Sequence, residues 1–72
     1  MPNLADRLIE IKQKKQILQK DIAENIDISL RSYQRYEKGE REPSSSVIIK
    51  LCNYLDVSAD YLLGLSDDPK RH

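Results

Sequence analysis

Residues 19–38 read Gln19-Lys20-Asp21-Ile22-Ala23-Glu24-Asn25-Ile26-Asp27-Ile28-Ser29-Leu30-Arg31-Ser32-Tyr33-Gln34-Arg35-Tyr36-Glu37-Lys38, and the break in the middle of this run decides the fold. Ile22 and Ile26 stand four apart, as one stripe of an α-helix requires, and the small Ala23 beside them lets a second helix cross closely. Asp27-Ile28-Ser29 interrupts that helix, because an aspartate tolerates a left-handed turn and Ser29 is a strong N-cap for a new helix. Ile28 pins the turn to the core. A second helix then starts at Leu30 and ends at Gly39. Tyr33 and Tyr36 lie three apart on its inward side, which leaves Arg31, Gln34, Arg35 and Lys38 on the other.

Toward the N-terminus, Leu4, Leu8 and Ile11 form one helical stripe, with Asn3 as N-cap and Asp6 facing the positive end of the helix dipole. The exit from this helix is poorly marked, since Gln16-Ile17-Leu18 contains neither Gly nor Pro. The series Leu4, Leu8, Ile11, Leu18, Ile22, Ile26 follows a 3.5-type spacing with Lys15 in its one gap. A single helix from Leu4 to Ile26 is therefore a rival reading, and it would suit a protein-interaction module that pairs long helices or binds another partner. Toward the C-terminus, Glu40 to Ser44 is a loop with a Pro stop and a Ser cap. Val47, Ile48, Leu51, Cys52 and Leu55 mark an amphipathic helix over about 45–55. Ser58 caps a short last helix carrying Tyr61, Leu62 and Leu63 up to Gly64. Residues 66–72 read as a polar tail or the start of a linker. With no strand pattern or internal repeat, the chain is all-α, one domain over residues 4–65.

Composition narrows the function. Seventy-two residues leave room for one small domain whose limited core makes an elaborate active site hard to enclose. Cys52 is the only cysteine and His72, last in the chain, the only histidine. Neither a disulfide, a paired-thiolate zinc site nor a nucleophile–histidine triad can be assembled. No acid–base pair, metal cluster or Gly-rich phosphate loop stands out, so a binding protein without cofactor or metal is expected, not an enzyme. No apolar run reaches the length of a membrane span, and Met1 to Asp6 lacks the pattern of a signal peptide, so a cytoplasmic location is expected.

Twelve Lys plus Arg against twelve Asp plus Glu give zero net charge, which at first argues against nucleic acid. Position changes that reading. Residues 7–41 carry nine basic groups (Arg7, Lys12, Lys14, Lys15, Lys20, Arg31, Arg35, Lys38, Arg41) against six acidic ones, a net of plus three. Residues 42–72 carry three against five, a net of minus two. The basic half contains the two helices of residues 19–38, a helix-turn-helix layout. Its second helix fits the major groove, where Arg donates two hydrogen bonds to guanine and Gln pairs with adenine. The helix N-termini near Gln19 and Leu30 offer amides to phosphates.

These residues resemble the phage repressor and Cro helix-turn-helix family, also called the XRE family. The resemblance covers Arg7 to Leu65 and rests on elements that occur together and in order. They are Arg7-Leu8, Gln19 with Ile22-Ala23, Ile28-Ser29, Tyr36-Glu37-Lys38-Gly39, Arg41-Glu42-Pro43-Ser44, Leu51, Leu55-Asp56-Val57-Ser58, and Tyr61-Leu62-Leu63-Gly64. It implies a compact five-helix, lambda-repressor-like domain and a break, not a continuous helix, after helix one. By matched position it implies that Leu30, Arg31, Gln34 and Arg35 face base edges. Gln19 would bond a phosphate and brace the recognition helix. Lys38 and Lys12 would contact the DNA backbone, and Lys12 would pair with Glu37 to hold helix one against helix three.

The family usually carries Gly near Gln16, Ser or Thr at Leu18 and Gly at Asp27, so the first turn here is expected to lack its usual cap. Leu30, commonly polar in the family, either reads a thymine methyl or tucks inward. The function so implied is a sequence-specific transcriptional regulator, a repressor, bound as a homodimer to a two-fold symmetric double-stranded operator. A further protein partner or a C-terminal domain is compatible with it.

Overall fold

The computed structural model describes residues 3–71; the terminal His72 lies outside them. Five helices and no strand occur among the described residues. They are α1 (Leu4–Lys15), α2 (Gln19–Asn25), α3 (Leu30–Glu37), α4 (Ser45–Leu55) and α5 (Ala59–Leu62). The Asn3 side chain accepts the Asp6 amide at 2.9 Å while the Asp6 carboxylate accepts the Asn3 amide at 3.4 Å, a reciprocal capping box at the start of α1. Ser29, Ser44 and Ser58 cap α3, α4 and α5 in the same way, each accepting the amide of the residue three further on.

All five helices end by one device. A residue in the left-handed region follows the last turn: Gln16 (φ 55°), Asp27 (φ 61°), Gly39 (φ 73°), Asp56 (φ 57°) and Gly64 (φ 82°). The next amide then reaches back to a carbonyl five residues earlier, Ile17 to Lys12, Ile28 to Ala23, Glu40 to Arg35, Val57 to Cys52 and Leu65 to Asp60, at 2.8–3.2 Å. The single-helix rival for residues 4–26 fails here, because Gln16 turns the chain and Leu18 is extended before α2 begins. Ile17, Ile28 and Val57 come directly after three of these turns and pack on or in the core, so each apolar residue just past a helix end anchors the turn.

Leu8, Ile22, Tyr33, Leu51 and Leu62 are fully buried and join all five helices in one core with Ile11, Ile26 and Leu55. Ala23 is buried, as a close crossing of α2 and α3 needs. Tyr33 and Tyr36 are both core residues, and Cys52 is a buried free thiol whose pKa burial pushes up. The polar tail folds back on the domain: the Ser58 amide donates to the Pro69 carbonyl at 3.0 Å, and Arg71 bonds the Asn53 side chain at 2.7 Å.

Gln16 pays the steric cost that glycine avoids, because a side chain in the left-handed region costs roughly 1–2 kcal/mol. Gln16→Gly is therefore expected to raise the unfolding free energy by about 0.5–1 kcal/mol, less than that cost because glycine loses more entropy on folding. Urea denaturation with an unchanged m-value checks this; an unchanged or lower midpoint would count against the strain at Gln16.

Candidate nucleic-acid interface

The surface formed by α2 and α3 is organised around one carboxylate. Glu37 closes the last turn of α3 and is buried, with its side chain 7% exposed. Lys12 Nζ of α1 lies 2.9 Å from Glu37 Oε1, and Gln19 Nε2 of α2 donates to the same oxygen at 3.0 Å. Burial would push the carboxyl pKa up, but the Tyr33 hydroxyl, Lys12 and Gln19 together hold it below the usual value. Tyr33 OH and Glu37 Oε2 are both buried without a well-formed hydrogen bond, although they influence each other: burial, then Glu37, pushes the phenol far above its usual range.

The carboxylate also dictates how two amides point. An ionised carboxylate only accepts, so Gln19 must turn its NH2 toward Glu37, and its carbonyl Oε1 then faces α3. Gln34 Nε2 donates to that oxygen at 3.2 Å. One Gln34 N–H and its carbonyl oxygen remain, the donor and acceptor that a bidentate contact with adenine uses. Lys12, Gln19, Gln34 and Glu37 thus form one connected group across three helices, and Gln19 braces α3 from both ends of its amide.

Arg31, Arg35 and Lys38 lie outside that group, on the exposed side of α3. Among the described residues none of the three takes part in an ion pair, and neither does the exposed Lys20. Leu30 is 41% exposed, so it points outward instead of tucking into the core. Lys12 is three-quarters covered and committed to Glu37. The start of α2 is bare, since Leu18 occupies the N-cap position and offers no side-chain acceptor.

Arg7 was not singled out by its chemistry in the sequence, yet it is the other buried charge. Its guanidinium stacks 4.0 Å from the centroid of the Tyr61 ring, pairs with Glu10 at 3.2 Å and Asp67 at 3.0 Å, and donates to the Ser66 carbonyl at 3.1 Å. Burial disfavours its charge, but the bonds to Asp67 and Glu10 raise its pKa all the same. The only sequence sign was an arginine directly before the core residue Leu8, which is a weak one. Among the described residues no group of His, Cys, Asp and Glu could hold a metal ion.

Two short helices joined by a left-handed turn, the second with its cations turned outward and its inner face locked by tyrosines and a buried carboxylate, define a helix-turn-helix module. The helix-turn-helix family matches over residues 8–62, and the chain belongs to that family. It is 37% identical over 70 residues to the HTH-type transcriptional regulator ImmR of Bacillus subtilis, covering 97% of this chain and 55% of that protein. It is 41% identical over 46 residues to the cryptic phage CTXphi transcriptional repressor RstR of Vibrio cholerae, covering 64% of this chain and 41% of that one. The chain spans about half the length of these curated relatives. Among solved structures, the P22 c2 repressor in complex with a synthetic operator superposes with a TM-score of 0.84 at 24% identity, over 92% of this chain and 100% of that one, a likeness of fold. A transcriptional regulator from Listeria innocua gives 0.81 at 29% identity, over 86% of this chain and 58% of that one.

The depressed pKa of Glu37 carries a pH signature. Its contribution to stability is fully present above the unfolded carboxyl value of about 4.5 and is lost as the pH falls through the lower folded value. Glu37→Gln is expected to lower stability at pH 7 by about 2 kcal/mol and to flatten the decline of stability below that range. Denaturation midpoints between pH 7 and pH 3 check both; an acid slope identical to the wild type would remove Glu37 from the account.

Proposed function

We propose that this chain is the operator-reading domain of a transcriptional regulator, a repressor, and that α3 enters the major groove of double-stranded DNA. The observation that carries this is the outer face of α3. Arg31 and Arg35 stand there free of internal ion pairs beside a Gln34 amide whose orientation Glu37 has set through Gln19. Arg31, Gln34, Arg35 and Leu30 take the base edges; Lys38 and Gln19 take the backbone. Lys12 adds positive potential at the edge but acts first through its pair with Glu37. The names of the relatives support regulation, and that of RstR supports repression.

Residues 4–65 form the reading unit, and residues 66–72 lead away from it. One domain of this size makes a limited interface, so tight binding calls for two copies on a two-fold symmetric operator with half-sites about 34 Å apart. The chain acts as a homodimer on DNA, through this domain or through a region outside it. The site is in the cytoplasm, on the nucleoid when bound, which agrees with the finding that no helix among the described residues is long and apolar enough to cross a membrane. The work is binding, with no reaction catalysed. A partner-binding role in place of DNA is the weaker reading, since its long helix is broken at Gln16.

Selection of bound sequences from a random duplex pool tests the reading, and failure to enrich any sequence at low salt would overturn it. On the enriched site, Arg31→Ala and Arg35→Ala are each expected to cost about 1–3 kcal/mol and to relax preference at one position. Lys38→Ala is expected to weaken all duplexes alike and to reduce the salt slope by about one. A binding titration across salt concentrations separates the two behaviours.

A further inference from the structure

The helix-turn-helix surface carries an apolar feature that its cations and amides do not explain. Leu18 is 59% exposed and Leu30 is 41% exposed. Both line one shallow groove with Ile17, Gln19, Lys12 and Lys20. Leu30 is the first residue of α3, one turn before Gln34 and so on the same face of the helix. Leu18 stands at the N-cap of α2, where an oxygen-bearing side chain would cap the helix and a leucine does not.

Two leucines in these places lose stability on both counts: they leave apolar area in water, and they leave the start of α2 uncapped. A contact that buries them accounts for their presence. We propose that Leu18 and Leu30 form a reader for the C5-methyl groups of thymine in each operator half-site, an inference that rests on the DNA-binding reading above.

Charge complementarity selects this occupant. Lys20, Arg31 and Arg35 flank the leucines, all exposed and without ion-pair partners among the described residues. In the major groove a thymine edge presents a methyl group beside an acceptor oxygen, with phosphates along the groove walls, so apolar atoms at the centre and cations at the rim match it. A protein partner needs roughly 800 Å² per side with few charges at its centre. Two side chains ringed by cations and glutamine amides do not supply that. Lys12 is held by Glu37, so the groove keeps its shape whether or not DNA is present. Leu30 touches the methyl nearest the base that Gln34 pairs with, and Leu18 covers its outer side.

The test uses the enriched operator. Each thymine is replaced in turn by deoxyuridine, which removes the methyl and leaves the hydrogen-bonding groups unchanged, and affinities are measured for wild type, Leu30→Ala and Leu18→Ala. At one or two thymines per half-site, uracil is expected to weaken the wild type about fourfold, the worth of one buried methyl. That penalty is expected to vanish in Leu30→Ala and to shrink in Leu18→Ala. Both side chains are exposed, and circular dichroism of the two variants is expected to match the wild type. An enriched operator with no uracil-sensitive thymine, or a penalty that persists in Leu30→Ala, overturns the methyl reader and leaves the DNA-binding reading intact. Failure to enrich any operator overturns both.

Discussion

Everything on the DNA-facing side depends on burying the Glu37 carboxylate where three helices meet. The position is unfavourable by itself: a carboxylate leaves water, and it does so at the C-terminal end of α3, where the helix dipole is already negative. Lys12 and Gln19 offset that cost with charge-assisted bonds from α1 and α2. An apolar residue of similar volume would join the same helices without the desolvation. It would also leave Gln19 free to rotate and Gln34 without a fixed donor direction. What the carboxylate supplies is polarity: a group that only accepts sets the sense of every hydrogen bond from Lys12 out to the edge of α3. The orientation of a surface amide is thus decided by a buried charge about one helix diameter away.

The helix order was legible because its signals are local. Asn3, Ser29, Ser44 and Ser58 cap the helices they precede, and the stripes of Leu8, Ile22, Tyr33 and Leu51 are set by the 3.6-residue repeat. The exit of α1 was the weak place, since left-handed ends are ordinarily marked by Gly and here Gln16 takes that conformation. Its pattern matched a continuous helix nearly as well. The deciding factor is tertiary: only with a turn at Gln16 does Ile17 reach the core while Leu18 points outward. A residue's preference for a left-handed turn is smaller than the burial of an isoleucine, so packing wins.

The contacts that were not legible join residues far apart in the chain. Arg7 and Asp67 are sixty residues apart and no spacing rule foretells their pairing. The tail composition, Ser66-Asp67-Asp68-Pro69, reads as a linker because it lacks apolar residues, yet its backbone carbonyls accept from Arg7 and Ser58. Polar segments dock through their main chain, and composition is silent about that. Lys12 and Glu37 were paired in the sequence only through family resemblance, whereas the link from Gln34 to Gln19 needed coordinates.

These pairings also account for the charge. The acidic groups that contact cations lie mainly on α1 and toward the C-terminus: Glu10 with Arg7 and Lys14, Asp67 with Arg7, and Asp56 with Arg71. Each such pair removes a cation from the far side of the molecule, not from α3, and Glu37 takes only Lys12. Zero net charge is therefore compatible with a surface whose arginines all remain available. The consequence is kinetic as well as energetic. With no excess positive charge, a misoriented encounter with DNA gains little attraction and the acidic side is repelled, so residence depends on the α3 face arriving first. A reader built this way obtains its selectivity partly from what it lacks, a general affinity for phosphate that every duplex would satisfy equally.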